Sequence, residues 1–213
     1  MTSSTDGFQP RSDPRPDDTA WGPVGWPMDP GTVLVHDAVV LSLTDERDAP
    51  ELFAALDRDA CWEHVRGRPA SPESLADTIR AARGSGRWMW TVREAGAVVG
   101  TTSFLDVSPV DARLEIGFTC YAPQVWGTVV NPACKLLLMG WAFDTAGFGR
   151  VQMKTDVRNA RSQRAIASLG ATYEGVLRRY QRRQDGTVRD TVMFSVTGEE
   201  WPKVRERLEE RLG

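Results

Sequence analysis

A helix that is apolar on nearly every side sets the strongest limit on how this chain can fold. The segment Ala133 to Phe143 reads ACKLLLMGWAF and has few polar positions. A helix of this kind has to be buried among other elements of the protein. Asn131 is a favourable N-cap residue and Pro132 suits the first helical position, so the sequence predicts that the helix begins here.

Strand and helix patterns alternate on both sides of this helix. The patterning predicts strands at 38–43, 87–107 (two strands about a turn near Ala95–Ala97), 112–121, 150–157, 171–183 and 188–196, and helices at 44–59, 71–86, 159–170 and 199–212. Asp185-Gly186 is typical of a hairpin turn between the last two strands. The chain therefore reads as a mixed α/β sheet with helices on its faces.

Composition excludes several classes of protein. The chain has 213 residues, which suit one domain, and its net charge of −3 gives no general attraction to nucleic acid or anionic membranes. No apolar run is long enough to span a membrane, so we expect no membrane partner. Cys61, Cys120 and Cys134 are odd in number and lack metal-site spacing, which favours reduced thiols in a cytoplasmic protein. With two histidines in the chain, we expect no metal site.

The N-terminal segment differs from the rest. Six prolines fall within the first 30 residues, and hydrophobic periodicity is weak there. We expect residues 1–32 to form a flexible or loosely draped arm and residues 33–213 to form a single domain.

The turn before the apolar helix is a candidate phosphate site. It consists of Trp126, Gly127, Thr128, Val129, Val130 and Asn131. Backbone N–H groups at the start of a helix bind phosphate readily, and a buried helix that follows a strand aims them into a cleft where α/β folds bind ligands. The alternative is an ordinary capped turn.

A second candidate site lies in the helix at 159–170. Asn159 is expected to cap this helix. Ser162, Ile166 and Leu169 share one helical stripe, so Ser162 either faces a cleft or is a satisfied buried serine beside the cap.

These segments together resemble the GCN5-related N-acetyltransferase (GNAT) family, and most of all its RimJ/RimL-type branch. The resemblance covers about residues 35–205 and rests on the strand LEIGFTCY, the turn and helix that follow, and the ordered pattern N-x-x-S-x-x-x-x-x-x-L-G-A from Asn159 to Ala171. It implies a mostly antiparallel central sheet with helices on both faces, in which the fourth and fifth strands of the family fold splay apart. It also implies an N-acyltransferase that moves an acetyl group from acetyl-CoA directly to a primary amine of a small molecule or a peptide N-terminus.

The resemblance also implies roles for individual residues. The backbone of Phe118, Thr119 and Cys120 would pair with the pantetheine arm of the donor, and Asn159 would contact the same arm. The turn from Trp126 to Asn131 would hold the pyrophosphate. Ser162 would protonate the departing thiolate and Glu115 would deprotonate the amine, often through water. For Glu115 the alternative is a solvated or salt-bridged carboxylate.

The turn departs from the family pattern Gln/Arg-Gly-x-Gly-x-Gly/Ala. Trp126 replaces the polar first residue and Val129 the second glycine. A β-branched residue is poorly suited to positive φ, so Val129 predicts a weakened or altered grip on phosphate.

Two other functions stay open on the sequence alone. Residues 150–190 hold ten Lys/Arg and four Asp/Glu. Together with Val129 in the turn, this basic segment would suit aminoacyl-tRNA as the acyl donor. It could instead receive the nucleotide phosphates of coenzyme A or an acidic acceptor, or be a solvated face of the last hairpin. A non-catalytic binding module of the same fold is the other alternative. Acceptor specificity is expected to come from residues 46–84 and the terminal hairpin, and the last strands could form a homodimer.

Overall fold

The computed structural model describes residues 9–13 and 20–213. The strands are β1 (Val33–His36), β2 (Val39–Leu43), β3 (Trp88–Glu94), β4 (Ala97–Ser108), β5 (Arg113–Tyr121), β6 (Arg150–Asp156), β7 (Thr172–Arg182) and β8 (Val188–Thr197). The helices are α1 (Ala49–Leu56), α2 (Asp59–Trp62), α3 (Pro72–Gly84), α4 (Val130–Gly140), α5 (Ala160–Ser168) and α6 (Trp201–Leu212). Within these described ranges no helix has the length and hydropathy that a membrane crossing requires.

All eight strands form one sheet in the order β1-β2-β3-β4-β5-β6-β8-β7. Every neighbouring pair is antiparallel except β5 and β6, which are parallel. A parallel pair needs a crossover connection, and the buried helix α4 supplies it. The prediction of a mixed, mostly antiparallel sheet with helices on its faces is confirmed.

The parallel pair separates after three residues. Arg113, Leu114 and Glu115 of β5 pair with Arg150, Val151 and Gln152 of β6. Beyond that point β5 continues to Tyr121 and β6 to Asp156, but the two strands no longer pair with each other. They splay apart and leave a gap. The implied splay is therefore present in this chain.

Two apolar clusters cover the faces of the sheet. In one of them α4 and α6 contribute Leu138, Met139 and Leu208. In the other, α1 and α3 contribute Leu52 and Ile79 and pack on the opposite face of the sheet. Burying these side chains is the main free-energy gain that fixes the helices, and with them the gap between β5 and β6.

The ends of the helices follow the sequence in most cases. Ser71 caps α3 through a capping box and Pro72 is its first residue, as predicted. Asn159 caps α5, also as predicted. The prediction for α4 is wrong, because α4 begins at Val130 with Val129 in the N-cap position and Asn131 already in the first turn. The hydroxyl of Thr128 accepts the N–H of Val130 at 3.3 Å and so takes over part of the capping role.

Part of the N-terminal segment packs on the body of the protein. The ring of Trp26 meets that of Trp88 edge-on with centroids 4.9 Å apart, and Met28 lies in the core. The N–H of Gly25 donates to the carbonyl of Ala146 at 2.8 Å. The expected arm at 1–32 also includes residues 1–8 and 14–19, which lie outside the described residues.

Candidate active site

The gap between β5 and β6 opens into a cleft of about 410 Å³. Nine of the twelve residues that the sequence singled out line this cleft: Glu115, Phe118, Thr119, Cys120, Trp126, Gly127, Asn131, Asn159 and Ser162. Thr128, Val129 and Val130 do not line it, and Val130 is instead fully buried in the core. Sequence positions nearly 50 residues apart thus meet in one place.

The edge of β5 that faces the gap carries free backbone groups. From Ile116 to Tyr121 this strand pairs only with β4, because β6 has moved away. Phe118 has φ of +47°, and the register between β4 and β5 shifts at this point, which marks a β-bulge. A positive φ at a non-glycine residue is strained, and such strain is concentrated at functional sites.

The turn before α4 has ordinary geometry at Val129. Gly127 has φ of +77°, a value that favours glycine. Val129 has φ of −71° and ψ of −13°, which is right-handed helical backbone. The expectation that Val129 would strain a left-handed position is therefore wrong, because Gly127 alone takes the left-handed conformation in this turn.

Trp126 is held by its own contacts. Its Nε1 donates to the carbonyl of Tyr121 at 2.8 Å. The guanidinium of Arg161, on α5, stacks over the Trp126 ring at 3.8 Å, and both side chains line the cleft. The tryptophan that replaces the family's polar residue thus brings in a cation from a neighbouring helix. Sequence reasoning missed Arg161 because this contact joins two separate elements.

Glu115 is buried at the point where the two strands part. Its Oε2 lies 2.7 Å from Nζ of Lys154 on β6, a close ion pair whose angles are not those of a hydrogen bond. The same ammonium lies 3.2 Å from Oδ2 of Asp106, a residue with φ of +45° at a second irregularity of β4. Burial raises the pKa of Glu115, and the positive charge of Lys154 offsets part of that rise. The sequence alternative of a salt-bridged carboxylate is therefore correct as a description of its contacts.

Glycine at position 117 makes room for this carboxylate. A Cβ at Gly117 would lie 2.7 Å from Oε1 of Glu115 and 2.8 Å from a methyl carbon of Leu105. Both distances are shorter than side chains tolerate, so the lack of a side chain fixes where the carboxylate can sit.

Ser162 and Asn159 divide the capping and site functions between them. Oδ1 of Asn159 accepts the backbone N–H of Ser162 at 2.9 Å. Within the part of the chain that the structure describes, the Ser162 hydroxyl makes no hydrogen bond to protein, and the residue lines the cleft. The cap therefore uses the backbone of Ser162 and leaves its hydroxyl available to a ligand.

Lys135 is a site residue that the sequence reading missed. It lies on α4, is only 4% exposed, and lines the cleft. Its Nζ donates to Oγ1 of Thr119 at 3.2 Å, and among the described residues it has no carboxylate partner. Burial lowers the pKa of Lys135 to about 8. The feature of the sequence that could have identified Lys135 is that it is a single lysine in an otherwise apolar helix.

The cysteines and the basic segment have structural contacts of their own. The three thiols are free, and burial raises the pKa of Cys120 to about 12.

In the basic segment, Arg150 forms a bidentate ion pair with Glu174, with both distances 2.6 Å. Arg183 pairs with Asp156. The local excess of positive charge is thus partly neutralised within the fold. In the described ranges no group of three or more His, Cys, Asp or Glu could hold a metal ion.

A mostly antiparallel sheet with one splayed parallel pair, a helix N-terminus at the gap and a carboxylate and a free hydroxyl in the cleft define an acyltransferase of the N-acetyltransferase class. Residues 39–172 match the family model of the acetyltransferase (GNAT) domain, and the chain belongs to this family.

Known proteins of similar sequence and structure agree with this assignment. The uncharacterized N-acetyltransferase YoaA of Bacillus subtilis is 25% identical over 172 residues, which cover 77% of this chain and 96% of YoaA. A GCN5-related N-acetyltransferase from Brucella melitensis is 25% identical with a TM-score of 0.83 and covers 91% of this chain and 90% of its own. Mycobacterium smegmatis RimJ, solved in complex with CoA-disulfide, is 25% identical with a TM-score of 0.71 and covers 89% of this chain and 97% of its own.

Proposed function

We propose that this N-acetyltransferase transfers an acetyl group from acetyl-CoA directly to a primary amine of a small molecule or a peptide N-terminus. The observation that carries the proposal is the unpaired edge of β5, which lies in one cleft with the start of α4. An extended amide-containing arm can pair with such an edge as an added strand does.

The residues at the cleft fit a donor with a pyrophosphate. The N–H of Asn131 in the first turn of α4 and the positive end of the helix dipole favour a phosphate beside Gly127 and Asn131. Arg161 and the buried ammonium of Lys135 would add positive charge there. The similarity to Mycobacterium smegmatis RimJ, a protein seen with CoA-disulfide, supports both coenzyme A as the carrier and membership of the RimJ/RimL-type branch.

Two side chains would handle the protons of the reaction. An ammonium group must lose a proton before its nitrogen can attack the thioester carbonyl, and Glu115 would accept that proton directly or through water. When the C–S bond breaks, the Ser162 hydroxyl would donate a proton to the departing thiolate. Holding the amine and the thioester in one cleft would supply much of the rate without a covalent enzyme intermediate.

Calorimetric titration with acetyl-CoA tests the donor. We expect binding in the micromolar range, and release of free coenzyme A when a primary amine is added. Absence of binding at millimolar acetyl-CoA would refute this donor. If acetyl-CoA binds but no amine in a broad panel is acetylated, the alternative of a non-catalytic binding module gains support.

Two observations weaken the aminoacyl-tRNA alternative. Val129 adopts unstrained backbone, so the turn is not defective by conformation. Arg150, Lys154 and Arg183 are paired with carboxylates, so fewer cations are available to a nucleic acid. A gel shift with total tRNA at low salt tests it, since phosphate contacts strengthen as salt falls.

A homodimer would use the outer strand β7. This strand lies at the edge of the sheet, and Tyr173, Val176 and Leu177 expose apolar surface on it. Edge strands pair readily with other chains. Sedimentation equilibrium at increasing concentration would test this association.

A further inference from the structure

We infer that the amine acceptor carries a carboxylate, bound by Arg189 and Arg66, and a small apolar side chain, so that it is an apolar amino acid. This inference rests on the proposed function, because it assigns the acceptor of the same cleft. The two arginines are not required by the donor or by the proton transfers.

Arg189 brings an unpaired guanidinium to the cleft. It lies on β8, opposite Gln181 of β7 in the strand register, and both residues line the cleft. Its Nε is shielded from solvent and has no hydrogen-bond acceptor in the described part of the chain. A shielded guanidinium N–H without an acceptor costs free energy, which an anionic ligand would recover.

The nearby carboxylates are already engaged. Asp156 forms a two-point ion pair with Arg183, with distances of 2.6 and 2.9 Å. Glu115 is in contact with Lys154. Burial lowers the pKa of Arg189; the negative charges of Asp156 and Glu115 oppose this effect, and nearby guanidinium groups add to it. The fold therefore leaves this cation without an anion of its own.

Arg66 approaches the same cleft from the loop between α2 and α3. The N–H of Gly67 donates to Oε1 of Gln184 at 3.2 Å, and this bond ties the loop to the turn between β7 and β8. Arg66 lines the cleft and, among the described residues, has no ion pair. Arg66 and Arg189 therefore line one cleft, from the loop and from β8. Two unpaired guanidinium groups suit a carboxylate, which can accept from both.

An apolar pocket adjoins this pair of arginines. It shares Val65, Arg66, Phe118 and Cys120 with the cleft. Its remaining wall is mostly apolar and includes Leu52, Phe53, Leu56, Trp62, Leu75 and Met89. Its volume of about 30 Å³ has room for about two water molecules, which suits the two terminal methyl groups of a small branched side chain whose first carbon stays in the cleft. The acceptor's side chain would occupy it while the carboxylate meets the arginines.

The test compares L-valine with L-valinamide as acceptors for the full-length protein at saturating acetyl-CoA. We expect kcat/KM for valine to exceed that for valinamide by about tenfold or more, through KM. Arg189→Met should remove this preference by raising KM for valine alone, and Arg189→Lys should restore part of it. Arg178→Met is the matched control, since Arg178 is exposed on β7 and does not line the cleft.

A binding measurement keeps the test independent of turnover. Calorimetry in the presence of coenzyme A compares N-acetyl-L-valine with N-acetyl-L-valinamide. Equal affinities for the two, or a preference that survives in an Arg189→Met/Arg66→Met double variant, would overturn the inference. A stronger preference for O-phosphoethanolamine over ethanolamine than for valine over valinamide would also overturn it, in favour of a phosphate group. Failure of the proposed function would appear differently, as loss of acetyl-CoA binding itself.

Discussion

Glu115 and Lys154 bring a carboxylate and an ammonium to 2.7 Å at the place where β5 and β6 stop pairing. Glu115 belongs to the last paired position of β5, opposite Gln152, and Lys154 follows Gln152 by two residues on the same face of β6. The vertex of the cleft is therefore a charge pair, and the acidity of Glu115 depends on Lys154.

Removing the ammonium should change the pH dependence of catalysis. Glu115 can accept a proton only when it is ionised, so the rate falls as pH drops through its pKa. Burial already raises this pKa and Lys154 opposes that rise. In Lys154→Met the pKa of Glu115 rises further, so the acidic limb of kcat/KM against pH should move to higher pH. Glu115→Gln should lower kcat on the order of 100-fold at neutral pH.

Lys203→Met, an exposed change on α6, is the matched control for Lys154→Met. If the acidic limb of the profile is the same in Lys154→Met and the wild type, Glu115 is not the group that titrates.

The effects of substituting Ser162 and Asn159 can be separated, because the cap uses the backbone N–H of Ser162 but the side chain of Asn159. Ser162→Ala keeps the backbone N–H that Asn159 caps, so its stability should be unchanged while kcat falls on the order of 100-fold. Asn159→Ala removes the cap and should lower the free energy of unfolding by about 1 kcal/mol. Urea unfolding and steady-state rates measure the two effects.

Ser168→Ala is the control for the rate, because that hydroxyl donates to the carbonyl of Ala165 and accepts from Arg211 and does not line the cleft. An unchanged kcat in Ser162→Ala would remove the serine from the proton transfer.

Gly127 rather than Val129 should control the phosphate turn. Gly127→Ala forces a side chain onto φ of +77° and should cost about 1 kcal/mol, although the added Cβ meets no atom within 4 Å. The same change should weaken acetyl-CoA binding, because the turn must rearrange. Val129→Gly should alter the dissociation constant by less than about threefold, since no strain is relieved. The reverse order, measured by calorimetry, would contradict this account of the turn.

The sequence predicts local features well where a short segment determines the result. The start of α3 is predicted by Ser71 with Pro72 alone, and the start of α5 by Asn159 alone. The start of α4 is different, because Thr128 supplies a hydrogen bond to Val130 that makes Asn131 unnecessary as a cap.

Side-chain contacts between different strands and helices could not be predicted from short segments of sequence. The pairing of Glu115 with Lys154 depends on the register of two strands that are joined through α4. The stacking of Arg161 on Trp126 depends on how α5 lies beside the turn. Lys135 is read from the sequence as one polar position in a core helix, and only the gap beside Thr119 makes it part of the cleft. Tertiary packing, and not local propensity, decides these contacts.

The segment from Trp21 to Met28 should be needed for stability. Trp26 packs against Trp88 and Phe148, and Met28 is buried. Urea unfolding of the full chain measures the contribution of this segment. Trp26→Ala should cost about 3 kcal/mol because it leaves a cavity. Equal stabilities for Trp26→Ala and the wild type would mean that this segment merely lies on the surface.

Lys135 should lower stability while it strengthens donor binding. Its pKa is about 8 in the folded protein and 10.5 by ordinary standards, so between these values the unfolded chain binds more protons and stability rises with pH. Below pH 8 both states are protonated and the full cost of burying the charge applies, on the order of 3 kcal/mol. Lys135→Met should therefore stabilise the protein most at pH 7, and the gain should shrink as pH rises from 8 to 10.5. The same variant should bind acetyl-CoA about tenfold more weakly, since an uncompensated cation is lost from the cleft. Urea unfolding at pH 7 and pH 10, with Lys203→Met as the control, measures the first effect and calorimetry the second. A Lys135→Met protein that is less stable at pH 7 would show that contacts within the fold already offset the cost of burying the ammonium, so that no ligand is needed to do so.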